Sequence, residues 1–318
     1  MKQQHDIRVT IGIPTYNRAD GYLRQALPSA LAQTYAPLEI IVADNCSSDN
    51  TEAYVKSFGD RRIRYFRQPK NIDPNDNFNF CLRQARGTYF LLLHDDDLID
   101  PTFVQACMAA ADGRSDIGII RTGTRLIDGA GNILNENPNR AQGLPLAEFF
   151  KQWLTGKTAL YFCSSLFNTE GLKALGGFSS PHNLFQDVVA EFKLAAGHGR
   201  ADVVDVLAGY RRHDANRGDA VRVIEWCEDC LYLLDLMCRL APAEAAVIRR
   251  LGLAYFNRKC YRKAALIRNP LKRWAIYLEL YRSFDRAVTP AWVIKHFDYA
   301  RLKQAIKTVM GRPSARYV

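Results

Sequence analysis

The chain has 318 residues, enough for one large α/β domain with an appendage or for two domains of about 100–200 residues each. Its composition, 48% hydrophobic and 24% charged, excludes a disordered or membrane-embedded chain, and no apolar run approaches the roughly 18 residues of a spanning helix. The net charge of +10 is uneven: residues 1–219 hold 24 Lys+Arg against 25 Asp+Glu, whereas residues 220–318 hold 19 against 8. This asymmetry suggests an anionic partner for the C-terminal third, with a phospholipid surface or nucleic acid as the usual candidates. The polar start lacks a signal-peptide core, so a cytoplasmic protein is expected. The eight cysteines then read as thiols. Only Cys227 and Cys230 form a C-x-x-C, and without a second pair or nearby histidines they are expected as buried thiols on a helix.

From Arg8 onward, short β-rich runs alternate with helical stretches, the pattern of a mostly parallel sheet with helices on both faces. VTIGIP, LEIIVAD, IRYFRQ and TYFLLLH read as the first four strands. Between the first two, GYLRQALPSALAQT places Leu23, Leu27, Ala30 and Leu31 at helical spacing, with Pro28 an expected point of bending. The middle is less regular: IGIIRTG, LIDGAGNIL with Asp128-Gly129 as a hairpin signal, and LYFCSSLF read as extra strands. TEGLKALGGF and FQDVVAEFKLAAG follow as helices, the second ending at Gly197, and VVDVLAGYRRH as a strand. The first domain is expected over 1–218 and a basic, mainly helical region over 219–318, with helices at 221–240, 244–268, 271–285 and 290–310. In the last of these Val293, Phe297, Ile306, Val309 and Met310 share a face, suited either to packing on the first domain or to a membrane interface.

The strongest chemical signal is TYFLLLHDDDLIDP, an apolar strand that ends in Asp95, Asp96 and Asp97. Ligands of open α/β sheets gather at the carboxyl ends of strands, so this triplet stands where a substrate would bind. Adjacent ionised carboxylates repel one another, and a divalent cation relieves that repulsion; their hard oxygens suit Mg²⁺ or Mn²⁺. The competing explanation is capping of a helix that begins in LIDPTFVQACMAAA. The first strand ends in Pro14, Thr15, Tyr16, Asn17 and Arg18, and the second in Asp44, followed by Asn45, Cys46, Ser47, Ser48 and Asp49. An aromatic ring and a carboxylate on neighbouring strand ends can hold a pyrimidine base by stacking and by accepting its N–H, while Ser47, Ser48 and Asp49 fit ordinary turn chemistry.

IPTYNR, VADNCSSDNT, NIDPNDNFNFCLRQARGTYFLLLHDDD, LGGF followed by QD, and GYRRHDAN occur in that order. Over roughly residues 8–217 this set resembles the family 2 glycosyltransferases of the GT-A fold, a Rossmann-like α/β architecture, and is most similar to bacterial enzymes that build O-antigen, capsule or related surface polysaccharide. The resemblance implies an inverting, metal-dependent enzyme using a nucleotide-diphosphate sugar, UDP-linked by default. It implies nucleotide contacts from Pro14, Thr15, Tyr16, Asn17, Arg18, Asp44 and Asp95. Metal contacts are implied for Asp96, Asp97 and His213; spacing back from Pro101 favours Asp96, whereas strand alternation pairs Asp95 with Asp97.

The resemblance makes Asp187 the catalytic base and places Gly176, Gly177, Phe178 and Gln186 on the acceptor side. Arg211 or Arg212 would hold the diphosphate. Implied partners are a nucleotide-sugar donor, a glycan or lipid-linked glycan acceptor, and the cytoplasmic face of a membrane through the basic helices; nucleic acid is not expected. Two alternatives are a sugar-1-phosphate nucleotidyltransferase, which would want a Gly-rich loop where PTYNRADGY stands, and a non-enzymatic nucleic-acid binder acting through the basic tail.

Overall fold

The computed structural model describes residues 7–213 and 223–284. The expected boundary at Gly218, the end of the GYRRHDAN motif and the expected helix at 290–310 lie outside them. Four parallel strands form the N-terminal half of one sheet: β1 (Val9–Thr15), β2 (Leu38–Asp44), β3 (Ile63–Arg67) and β4 (Tyr89–Leu92). Their order is β3-β2-β1-β4. The chain runs outward from β1 and then returns to its other side, leaving a crevice at the carboxyl ends of β1 and β4. This half matches the alternation read from sequence.

The second half is mixed rather than parallel. β5 (Leu98–Ile99), β6 (Ile119–Ile127), β7 (Ile133–Asn137), β8 (Ser165–Asn168) and β9 (Arg200–Arg211) continue the order as β4-β8-β6-β9-β5, with β7 on β6. β8 is antiparallel to both β4 and β6, and only β6 and β9 pair in parallel. The β6–β7 hairpin turns at Asp128, whose carboxylate accepts the backbone N–H groups of Ala130 and Asn132 at 2.9 Å. LYFCSSLF divides into a 3-10 turn at Phe162–Ser164 and the short β8.

Helices cover both faces. α1 (Leu23–Leu31) and α4 (Phe103–Ala111) pack on one, burying Leu23, Leu27, Phe103 and Val104 against Val9, Ile11 and Leu91. α1 contains Pro28 as an interior residue. Beside β2 and β3 lies the short α2 (Thr51–Lys56). The other face carries α3 (Pro74–Gln84), α5 (Leu146–Leu154), α6 (Thr169–Ala174) and α7 (Gln186–His198). α3 starts where sequence rules place a start, with Pro74 at its first turn and the Asp73 carboxylate accepting the Asn75 N–H at 2.8 Å. α7 runs one residue past Gly197 and stops at Gly199, whose φ is +76°.

α8 (Val223–Leu240), α9 (Ala245–Ala265) and α10 (Pro270–Ser283) match the expected C-terminal helices. They do not form a separate core: Trp226, Leu233, Phe256 and Tyr261 belong to the same apolar cluster as Phe149, Trp153 and Phe192. Gly252 lets α9 approach α8 closely, since a Cβ there would lie 2.3 Å from a Leu234 methyl. Cys227, Cys230 and Cys260 are buried free thiols in this layer, as expected.

Beneath α7 lies a buried charge cluster. Arg121 of β6 is fully enclosed, with Nε 3.4 Å from Glu191 and Nη1 3.6 Å from Asp202. Its Nη2 donates to the Ala159 carbonyl at 2.7 Å, and Ser165 donates to Glu191 at 2.8 Å. Burial still pushes Glu191 up to about 7 against the attraction of Arg121. Truncating one member of such a set strands the others without water. Arg121→Met is therefore expected to cost about 3–5 kcal/mol of stability in urea unfolding; a loss below about 1 kcal/mol would show that the cluster does not brace α7.

Candidate functional site

The crevice between β1 and β4 opens into a cavity of about 1120 Å³. One end is bounded by Pro14, Thr15, Tyr16, Arg18, Asn45 and Asp95, Asp96 and Asp97; Gln186 and Asp187 lie farther along its wall. Tyr16 and Asp187, 171 positions apart in sequence, line one cavity because β1 and β4 end and α7 begins at its wall.

The acidic triplet is held by different partners. Thr15 donates its hydroxyl to Asp95 at 2.7 Å, and the Arg18 Nε stands 4.0 Å from the same carboxylate. Burial, then the neighbouring Asp96 charge, raises Asp95 to about 6. Asp96 faces the His213 Nε2 at 2.9 Å, and that ring packs on Tyr22 with centroids 5.0 Å apart. Asp97 is almost fully enclosed and accepts the Arg211 backbone N–H at 2.9 Å. Burial and Asp96 push its carboxyl well above the usual range. Such elevation reports carboxylates withdrawn from water beside a like charge, a condition a bound cation relieves.

His94, Asp96 and Asp97 offer ligand atoms that all lie within 4.8 Å of one another. His94 lies between Phe78 and Phe162, with ring centroids 4.9 and 5.0 Å away, and its buried Nε2 has no hydrogen-bond partner. Burial lowers its pKa, which keeps the imidazole neutral and able to donate a lone pair. One neutral nitrogen and two carboxylates fit a divalent metal of the Mn²⁺ or Mg²⁺ class, and the nitrogen favours the softer Mn²⁺.

Asp187 stands in the first turn of α7 and is partly exposed to the cavity. Its carboxylate is touched by backbone N–H groups of the helix start, and withdrawal from water raises it to about 6. Among the described residues no cation pairs with it. A carboxylate so placed can accept a proton from a hydroxyl bound in the cavity.

Residues 10–176 match the family described as Glycosyl transferase family 2. The chain belongs to that family. Succinoglycan biosynthesis protein ExoO of Rhizobium meliloti is 36% identical over 104 residues, 33% of this chain and 30% of that protein. The chain spans less than a third of the length of the first curated relatives it matches. Staphylococcus aureus TarS 1-349, solved with UDP-GlcNAc, superposes with a TM-score of 0.67 at 17% identity, covering 89% of this chain and 82% of that one. The mannosyltransferase PcManGT of Pyrobaculum calidifontis, solved with GDP-Man and Mn²⁺, gives 0.56 at 17% identity over 96% and 88%. These likenesses show the fold, the GT-A arrangement expected from sequence.

Within this family 2 chain several expected site residues take other roles. Arg211 is fully buried: Nε donates to the Asp96 carbonyl at 2.7 Å, Nη2 to Gln25 at 2.8 Å, and the guanidinium lies 4.5 Å from the Tyr22 ring centroid. It is a strut under the acidic turn, because its donors already meet protein acceptors. Arg212 is exposed and off the cavity wall. Phe178 sits in the core against Phe162 and Phe167, not beside the cavity. Gly176 and Gly177 serve the turn, with φ of +84° and +85°, and a Cβ on Gly177 would lie 2.3 Å from the Asn79 Oδ1.

Asp44 is enclosed, with its oxygens engaged by the Ser47 N–H at 2.8 Å and the Tyr65 hydroxyl at 2.5 Å. Asn17, at φ +52°, ties the two loops through Ser47 and Ser48 and does not line the cavity. Tyr16, 43% exposed, remains available for stacking. Asp49 behaves as turn chemistry predicts, accepting from Thr51 and from the Ala19 N–H.

Sequence reasoning missed His94 as a potential ligand, although it directly precedes the triplet. It also missed Trp153, Tyr161, Tyr255 and Lys259 on the cavity wall, which carry no local signature. Since Asp187 must be ionised to accept a proton, kcat for transfer is expected to fall as pH drops through about 6. Asp187→Asn should lower kcat by about 100- to 10,000-fold and flatten that acidic limb. A pH profile with the limb intact in the variant would remove Asp187 from the role.

Proposed function

We propose that this chain is an inverting glycosyltransferase that moves a sugar from a nucleotide-diphosphate sugar, UDP-linked by default, to an acceptor hydroxyl during surface-polysaccharide assembly. The observation that carries the reading is a single cavity walled by the acidic triplet, by Tyr16 and Arg18, and by the Asp187 carboxylate, which no cation pairs with among the described residues. Tyr16 offers a ring face to the base, and Asp95, positioned by Thr15, offers oxygen to the ribose. His94, Asp96 and Asp97 would hold a divalent cation, with His213 orienting Asp96 from the second side. Such a cation supplies charge stabilisation to a departing diphosphate. Arg18 is the cavity cation nearest the triplet, suited to the same phosphates.

Asp187 takes the proton of the acceptor hydroxyl as its oxygen attacks the anomeric carbon from the face opposite the diphosphate. The bond to the diphosphate breaks, the configuration inverts, and the proton later passes from Asp187 to water. Support comes from the relatives: TarS was solved with UDP-GlcNAc, PcManGT with GDP-Man and Mn²⁺, and ExoO is named for succinoglycan biosynthesis. Family membership gives no support to the nucleotidyltransferase or nucleic-acid readings.

We further propose attachment to an anionic membrane face. No described helix is long and apolar enough to cross a membrane. α10 instead exposes Leu271, Trp274 and Leu278 at helical spacing beside Lys272 and Arg282, a combination suited to an interface.

Two measurements test these readings. With Mn²⁺ present, a saturating nucleotide-sugar donor at about 100 times its Kd should stabilise the fold by about 2.7 kcal/mol. Asp96→Asn should abolish the Mn²⁺-dependent part of that gain, and equal stabilisation with and without metal would refute the metal assignment. In flotation assays, vesicles containing anionic lipid should retain the protein while neutral vesicles do not. Replacing both Leu271 and Trp274 by Ser should reduce retention at least about fivefold; unchanged retention would remove α10 from the interface.

A further inference from the structure

The cavity is slightly larger than a usual small-ligand site. At about 1120 Å³ it exceeds the roughly 300–1,000 Å³ of a usual single-ligand site. Its end away from the acidic triplet is closed by Trp153 of α5, Phe185 just before α7, and Tyr255 and Lys259 of α9. Asp187, two residues after Phe185 at the start of α7, lines the same cavity. Through Tyr255 and Lys259, α9 thus forms part of the wall of the cavity that the candidate base also lines.

Tyr255 and Lys259 are four residues apart on α9 and share one helical face. The Tyr255 ring lies 5.5 Å from that of Trp153, making an aromatic corner against which the C–H face of a sugar can lie. The Lys259 ammonium sits 4.4 Å from the Tyr255 ring centroid. Among the described residues no carboxylate is within ion-pair distance of it, whereas nearby Lys151 is paired with Glu148 and Glu244, His182 with Glu228, and Arg249 with Asp235. An exposed cation with no carboxylate partner among the described residues, on the rim of an aromatic sugar corner, selects for negative charge on the sugar.

We propose that Tyr255 and Lys259 form an acceptor subsite for a sugar bearing an anionic group, a carboxylate or a phosphate, with Tyr255 stacking on the ring and Lys259 meeting the charge. The inference rests on the glycosyltransferase reading above, with donor and acceptor sharing one cavity.

The test uses the full chain with Mn²⁺ and whichever of UDP, CDP, GDP and dTDP binds tightest. Methyl glucoside, methyl glucuronide and methyl glucoside 6-phosphate are then titrated and followed by saturation-transfer NMR. At least one anionic probe should bind about tenfold more tightly than the neutral one, the size of a charge-assisted contact. The better anion identifies carboxylate or phosphate as the group recognised. Lys259→Met should reduce the preference to below about twofold, Lys259→Arg should retain it, and Tyr255→Leu should weaken all three probes alike. Nucleotide affinity should be unchanged in every variant. Wild-type protein that binds nucleotide but shows no anion preference, or a Lys259→Met variant that keeps it, would overturn the subsite alone. Absence of binding by all four nucleotides would overturn the donor reading and the subsite with it.

Discussion

Mutual repulsion among three successive carboxylates is the constraint around which this molecule is arranged. Asp95, Asp96 and Asp97 follow an apolar strand directly, so they cannot spread into solvent as a surface cluster would. Each is steadied differently: Asp95 by the Thr15 hydroxyl, Asp96 by the His213 ring and Asp97 by the Arg211 backbone. None of these contacts removes the surplus charge, and both Asp95 and Asp97 remain shifted toward protonation. The Arg211 guanidinium binds the Asp96 carbonyl and so fixes the backbone of a turn whose three aspartates line the cavity.

The same physics, solved differently, secures the opposite wall. Arg121, Glu191 and Asp202 are withdrawn from water and face one another as ion pairs, so their cluster serves architecture even though burial still raises Glu191. It sits one helical turn along from Asp187, which has no such partner among the described residues. On one helix, Glu191 faces an arginine away from the cavity while Asp187 lines it, which separates the structural acid from the chemically available one. Aromatic packing then carries the constraint outward: Trp153 meets Phe185, Phe192, Tyr255 and Phe256, joining the sheet face to the C-terminal helices in a single core. A change in α9 is therefore a change in the cavity wall.

Legibility followed the range of the interactions. Strands β1 to β4 and helices α7 to α10 were readable because periodicity, Pro74-like starts and glycine stops act within a few residues. The mixed second half of the sheet was not, since antiparallel pairing of β8 with β4 and β6 depends on partners up to 79 residues away in register, such as Tyr89 with Asn168. Phe178 illustrates the limit for single residues. Its glycine-rich setting suggests a loop beside a ligand, yet Asn75 and Asn79 anchor its backbone and the ring fills the core.

By itself the sequence determined the acidic strand end, the α/β alternation, the placement of Asp187 at a helix start and the basic C-terminal third, because each depends on residue type and local spacing. Tertiary structure alone decided that His94 joins Asp96 and Asp97, that Arg211 and Asp44 are engaged by the protein, and that Tyr255 and Lys259 reach the same cavity as Tyr16. Those outcomes depend on burial and on distances between segments remote along the chain. Both are set when the sheet twists and the helices settle on it, and neither is written in any local pattern of residues.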